Sequence, residues 1–179
     1  IQLTGGEPTL REDIGEIIDY CKSVGISPEM NTSGFLVADK IDKIRNLDLI
    51  KISLDGRKEV NDFITKRKGS YEDAISAIEA STKEKIKTVI VTTLTKYNLS
   101  EVEFLIDLAK KYNCFIAFQP VKNMVYSGVD VKDLLPENSE YVAVVNKLID
   151  YKTKHNGFIR NTINGLKRMK SLYEDTSFK

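Results

Sequence analysis

Two glycines and an acid follow the first apolar run of this chain, in the stretch "LTGGEPTLRED" at 3–13. A strand can turn into a helix without a second glycine. Gly5 and Gly6 therefore mark a place where backbone approaches another group, or aims its carbonyls where a side chain would stand in the way. Glycine pairs also serve as plain turn punctuation. A second chemistry open to "TGG" is to cradle an anion at the start of the following helix. Glu7 beside that helix start would repel an anion, which counts against it.

Polar residues recur at the ends of the later apolar stretches: Asn31-Thr32-Ser33, Ser53 with Asp55, Thr93 to Thr95 and then Asn98, and Gln119. If these stretches are parallel strands, their C-terminal ends converge where ligands bind in α/β folds. Strands of any such fold end in polar turns, so each residue alone is weak evidence, and the combination with Gly5-Gly6-Glu7 is stronger. In "LIKISLDG", alternation places Leu49, Lys51, Ser53 and Asp55 on one face and Ile50, Ile52 and Leu54 on the other. A sheet covered by helices is apolar on its helix side, so the Lys51/Ser53/Asp55 face looks into a lined cavity. For Lys51 a structural salt bridge to a neighbouring acid is the alternative.

The elements that must position these residues alternate between strand and helix. Strands are predicted at 1–4, 26–32, 49–55, 87–95 and 114–120. Helices are predicted at 10–24, 39–46, 70–82, 100–112, 139–155 and 161–172. The first helix carries Ile14, Ile17, Ile18, Cys21 and Val24 on one face and ends at Gly25. Thr9 with Glu12, and Ser100 with Glu103, fit capping boxes, and Asp39 and Ser70 read as N-caps. A loop rich in charge is expected after residue 55. Strands separated by helices of this length imply right-handed crossovers and a parallel sheet. Five such units in 179 residues fall short of a closed eight-fold barrel of about 250 residues. The expectation is thus a partial, open barrel or a doubly wound sheet.

Composition narrows the partners. Lys+Arg 27 against Asp+Glu 26 leaves the chain near neutral, with no global pull toward nucleic acid or an acidic membrane. The basic runs at 65–69 and 166–170 read as solvated faces. No apolar stretch approaches the ~20 residues of a membrane helix. Hydrophobic residues make up 41%, enough for a real core. The two cysteines, Cys21 and Cys114, fall on an apolar helix face and at the start of an apolar strand. Both are expected to be buried and free, which points to a reducing cytoplasm. His155, at the end of a charged helix, reads as a surface residue. Ile1 already stands inside a strand, which reads as the start of a fragment.

Taken together, "LTGGEPTLRED", "NTSG" at 31–34, "ISLDG" at 52–56, "GSYEDAISAIEA" at 69–80 and "FQP" at 118–120 resemble the radical S-adenosylmethionine (radical SAM) superfamily. The resemblance covers residues 1 to 121 with good spacing and the rest more loosely. It implies a partial (β/α)6 TIM-like open barrel with parallel strands. Residues 1–125 would be the barrel core and 126–179 its last helix with a C-terminal helical extension. It also implies a [4Fe–4S] cluster held by three cysteines, whose free iron chelates S-adenosylmethionine. Reductive cleavage then yields a 5′-deoxyadenosyl radical that abstracts a substrate hydrogen.

By the same resemblance, Gly5, Gly6 and Glu7 turn carbonyls and a carboxylate toward the methionine ammonium, which has only donors to offer. Ser53 and Asp55 match the strand-end group that meets the ribose or the methionine carboxylate, and Asn31 a position near substrate and cofactor. Gln119 to Val121 match the last strand, whose backbone meets the adenine. The substrate would be a small molecule or a peptide, with peptide or protein modification favoured by the tail at 159–179. The reductant would be a flavodoxin or ferredoxin. The family's CxxxCxxC cluster loop is absent here, and Cys21 and Cys114 cannot replace it. The cluster ligands are therefore expected outside this chain, through truncation rather than loss. The competing reading is a cluster-less barrel acting as a non-catalytic binding or scaffold module.

Overall fold

In the computed structural model, residues 1–121, 131–155 and 157–174 are described. Five strands, β1 (Gln2–Leu3), β2 (Glu29–Thr32), β3 (Leu49–Ser53), β4 (Thr88–Leu94) and β5 (Phe115–Pro120), form one sheet in chain order, every neighbouring pair parallel. Helices α1 (Ile14–Ser23), α2 (Ile41–Ile44), α3 (Lys58–Thr65), α4 (Ser70–Lys83) and α5 (Val102–Lys111) make the crossovers. Helices α6 (Asn138–Lys154) and α7 (Ile163–Glu174) follow β5. Among the described residues no helix is long and apolar enough to cross a membrane.

The period-2 pattern of the strands decides which face the helices cover. Ile50, Ile52, Leu54, Ile90, Leu94, Ile116 and Phe118 are fully buried under them. Each such side chain contributes about 1.5–3 kcal/mol relative to exposure. Ile14 and Ile18 dock α1 on this layer, with Cys21 buried on the same helix, and Ala74, Ala77 and Ile78 dock α4. Cys114 is also buried and both cysteines are free. The same core continues into α6 and α7 through Tyr141, Val145, Leu148, Leu166, Met169 and Tyr173. The division expected at 125/126 lies outside the described residues.

The structure departs from several local expectations. The charged stretch after residue 55 is helix α3, because Asn61, buried against Ser70, and Asp62 fold it onto the start of α4. Asp62 accepts from the Gly69 and Tyr71 N–H groups and the Ser70 hydroxyl, so it satisfies the donors that a cap at Ser70 was expected to serve. The N-cap is Gly69, with Ser70 inside the helix. The Thr9/Glu12 box does not form. Helix α1 starts later, after Asp13, and Thr9 turns its hydroxyl to Glu7 and to the Phe35 carbonyl. The Ser100/Glu103 box is replaced by a single 3₁₀ turn at Leu99–Glu101, and Lys40 rather than Asp39 precedes α2.

Beyond β5, Ile159 adds one further parallel step. The Ile116 N–H donates to the Phe158 carbonyl at 2.8 Å, and the Arg160 N–H donates to the Ile116 carbonyl at 2.7 Å. Asn161 prolongs this step with its side chain: its Oδ1 accepts from the Phe118 N–H and its Nδ2 donates to the Phe118 carbonyl, both at 2.8 Å. An amide side chain here completes the β5 edge as a neighbouring backbone would.

Candidate functional site: a polar wall at the strand ends

The turn after β1 is built around Glu7. Its carboxylate accepts five hydrogen bonds: from the Thr9 N–H (3.3 Å), the Thr9 hydroxyl (2.8 Å), the Thr32 hydroxyl (2.7 Å), and the Ser33 N–H (2.8 Å) and hydroxyl (2.6 Å). Burial pushes the carboxyl up. The hydrogen bonds from Ser33, Thr32 and Thr9 outweigh it and hold the group below its ordinary value. Glu7 therefore stays charged and ties the β1 turn to the β2 turn. It is also the N-cap of the 3₁₀ turn Pro8–Leu10.

With Glu7 saturated by its own chain, the open features of the turn are Gly5 and Gly6. Gly5 has φ +143°, and a Cβ added at either glycine would meet no atom within 4 Å. Among the described residues nothing crowds these positions, so their backbone fronts open space. At Gly34, φ +95°, the reason for glycine is different. A Cβ would come within 2.8 Å of the Ala74 Cα, so this glycine lets the β2 turn pack on α4.

The concave face of the sheet bears a cavity of about 390 Å³, lined by Gln2, Asn31, Lys51, Ser53, Asp55 and Gln119, with Val89, Val91, Thr93, Ala117 and Arg160. The register sorts this wall into layers. Asn31, Lys51 and Val89 stand side by side, then Ser53, Val91 and Ala117, and Thr93 and Gln119 above them. Gln2 Nε2 donates to Asn31 Oδ1 at 2.9 Å. Lys51 both lines the cavity and pairs with Glu29 at 2.8 Å. Ser53 is exposed, with no hydrogen bond from its hydroxyl among the described residues.

Asp55 is the chemically distinctive group. Its Oδ1 accepts from the Thr93 N–H at 2.9 Å, and its own N–H donates to the buried Asn61 Oδ1 at 2.9 Å. Burial pushes its carboxyl up to about 6, the Thr93 N–H opposing the rise. The next residues are fixed as well. Glu101, almost fully buried, accepts from the Arg57 N–H and the Arg57 guanidinium, both at 2.8 Å. This pair joins the turns after β3 and β4.

Asn31, Ser53, Asp55 and Gln119 thus meet in one cavity. Gly5, Gly6 and Glu7 form the turn at the end of the neighbouring β1. Val121 does not join the wall: it is 8% exposed, and its carbonyl accepts from the Tyr173 hydroxyl at 3.0 Å. Gln2 and Arg160 are additions that no motif announced. Arg160 comes from a three-residue segment too short to show alternation. A groove of about 720 Å³ at the opposite ends of β4 and β5 shares no residue with this wall. Among the described residues no three His, Cys, Asp or Glu side chains are grouped to hold a metal ion.

This arrangement has known counterparts. SuiB of Streptococcus suis superposes over 88% of this chain and 37% of its own, at 16% identity, with a TM-score of 0.74 when bound to S-adenosylmethionine and 0.72 when bound to its precursor peptide SuiA. The sheet is thus the partial, open TIM-like barrel of that enzyme group. In sequence, the chain is 29% identical over 136 residues to an Fe-coproporphyrin III synthase of Methanosarcina barkeri (72% of this chain, 32% of the relative). It is 30% identical over 149 residues to the mycofactocin maturase MftC of Mycolicibacterium smegmatis (78% and 36%). The chain thus spans about a third of the length of these curated relatives. The model of the Radical SAM superfamily matches residues 1–109, from β1 into α5. With the motif residues of that match gathered at the strand ends of the matching barrel, the chain belongs to the radical SAM superfamily.

Proposed function

We propose that this chain is the cofactor-binding wall of an enzyme that cleaves S-adenosylmethionine reductively at a [4Fe–4S] cluster and draws a hydrogen atom from a peptide or protein substrate. The observation that carries it is the Gly5-Gly6 backbone, open where a side chain would stand, in the turn that Glu7 ties to the end of β2, at the β1 end of the sheet whose wall bears Ser53, Asp55 and Gln119. These groups fit the cofactor. The Gly5-Gly6 carbonyls are acceptors for an ammonium, which has only donors. Ser53 offers a free hydroxyl to the ribose or carboxylate, and Gln119 a polar end near the adenine. Glu7 acts at one remove by holding the glycine carbonyls in position, with its negative charge behind them. Bound together, cofactor and cluster supply a radical able to take a hydrogen atom. The chain's own part is to orient the cofactor and line the substrate space.

The cluster's thiolates come from outside residues 1–179. Cys21 and Cys114 are both buried, and burial pushes the Cys114 thiol up to about 12, far from the thiolate a cluster needs. A flavodoxin- or ferredoxin-type reductant is the partner, and the cytoplasm the compartment, consistent with two free cysteines. A peptide substrate is supported by the likeness to a maturase and to an enzyme captured with a precursor peptide. The intact polar wall speaks against a non-catalytic scaffold.

The test is calorimetry of S-adenosylmethionine on the complete, cluster-loaded enzyme with Ser53→Ala. Loss of one neutral hydrogen bond, about 0.5–1.5 kcal/mol, lowers affinity roughly three- to tenfold with cluster content and melting temperature unchanged. Unchanged affinity would move the cofactor off this wall.

A further inference from the structure

The segment that adds to the β5 edge is held unusually firmly for three residues. Two backbone hydrogen bonds join it to Ile116, Asn161 clamps Phe118 from both sides, and Lys152 donates to the Ile159 carbonyl at 2.6 Å. Ile159 pairs with Ile116 and is 1% exposed, pointing into the helix layer. The next residue must point the other way. Arg160 therefore projects onto the concave face, level with Ala117, Val91 and Ser53.

Those three neighbours are small, so open volume lies in front of the guanidinium. Two cations line the cavity, and they differ. Lys51 is paired with Glu29 at 2.8 Å. Arg160 has no hydrogen bond from its guanidinium and no carboxylate within 4 Å among the described residues. Glu29 feels its charge only at longer range, since Arg160 contributes to holding that carboxyl low, behind the larger effect of Lys51. An arginine fixed on a rigid edge, unneutralised and facing a cavity, presents a planar fork suited to two oxygens of one anion.

We propose that Arg160 is a specificity-determining residue that receives an oxyanion of the substrate, a carboxylate or a phosphate, against the β5 side of the cavity. This rests on the radical SAM reading of the same wall. Gly5 and Gly6 lie at the far, β1 edge of the sheet, so Arg160 grips a group on the side away from the ammonium-binding turn. The substrate would thus be held between the two edges.

The experiment uses this chain with two probes, pyrophosphate for phosphate and glutarate for carboxylate, followed by the arginine Nε–H resonance of Arg160 in ¹⁵N NMR spectra. Saturable shifts with either probe are expected. Arg160→Gln weakens binding at least about tenfold, and Arg160→Lys, which keeps the charge but not the fork, recovers part of it. The tighter probe identifies the source of the oxyanion. Circular dichroism and melting temperature stay at wild-type values in both variants, since among the described residues the Arg160 side chain holds no other element. Absence of saturable binding, or binding indifferent to Arg160→Gln, overturns the proposal.

A second arm measures S-adenosylmethionine on the complete cluster-loaded enzyme. Affinity within about twofold of wild type in Arg160→Gln supports a substrate role, whereas a loss near tenfold assigns Arg160 to the cofactor and overturns it. Failure of the wild-type enzyme to bind S-adenosylmethionine at all would instead sink the radical SAM reading, and the anion arm would still decide whether Arg160 holds an oxyanion.

Discussion

The carboxylate of Glu7 and the backbone and hydroxyl of Ser33 meet at 2.8 and 2.6 Å, across two parallel strand ends. Glu7 is thus a structural joint between the β1 and β2 turns, and mutation isolates that role. Glu7→Ala strips the acceptor from the buried Thr32 hydroxyl and from the Ser33 N–H and hydroxyl, while the Thr9 hydroxyl keeps the Phe35 carbonyl. The cost is about 2–4 kcal/mol of stability, in line with unsatisfied buried donors, read as a lowered urea midpoint. Because the folded carboxyl lies below its ordinary value of 4.5, its contribution is present above that pH and fades as pH falls through the folded value. The gap between wild type and Glu7→Ala should therefore narrow in acid. A gap independent of pH would detach the effect from the carboxylate.

Asp55 has the opposite sign. Its carboxyl rises from 3.8 to about 6 on folding, so its contribution is complete below pH 3.8 and lost as pH climbs through about 6. The penalty at neutral pH is about 2–3 kcal/mol by the size of the shift. Asp55→Asn keeps an acceptor for the Thr93 N–H and removes the charge. Urea midpoints between pH 4 and 8 should fall for wild type and stay flatter for the variant, which becomes the more stable of the two at pH 8. Parallel profiles would show that Asp55 is solvated.

Asn161 is the joint of the other edge. Asn161→Ala removes both of its hydrogen bonds to Phe118 and costs about 1–3 kcal/mol. Amide exchange at Phe118 should accelerate, and Arg160 should lose its fixed direction. Asn161→Asp keeps an acceptor for the Phe118 N–H but sets a carboxylate against the Phe118 carbonyl, and should be no better. Protection at Phe118 unchanged by either substitution would remove Asn161 from the edge.

Incubated anaerobically with iron and sulfide and then desalted, this chain should retain well under one cluster per molecule. Its two cysteines lie in α1 and directly ahead of β5, both buried and free. Iron and sulfide analysis provides the measurement. Near-stoichiometric incorporation that survives Cys21→Ala would mean that other residues of the chain bind it.

The residues themselves determined the strand–helix alternation, the burial of both cysteines, and the cavity-facing alternation of Lys51, Ser53 and Asp55. Period-2 and period-3.6 burial are local consequences of backbone geometry, and the chain obeys them at 50–55 and at Ile14, Ile18 and Cys21 of α1. Leu49, expected on the cavity face, is instead buried, and Val24, expected on the apolar helix face, is exposed just past α1. The glycine pair was legible for a similar reason, since only a special backbone environment favours two glycines in one turn. The tertiary structure decided what each polar group is for. Glu7 is claimed by Thr32 and Ser33, some 25 residues away in sequence. That claim displaced the local capping box at Thr9 and Glu12, because a carboxylate offered three hydroxyls and two N–H groups is worth more than one reciprocal cap. The charged stretch after Asp55 became a helix because Asn61 and Asp62 found partners in the next turn. Arg160 reached the cavity only because the segment around Ile159 pairs with Ile116, 43 residues earlier. Long-range pairing leaves no period in a three-residue segment, so only the folded sheet could place that guanidinium opposite the glycine turn.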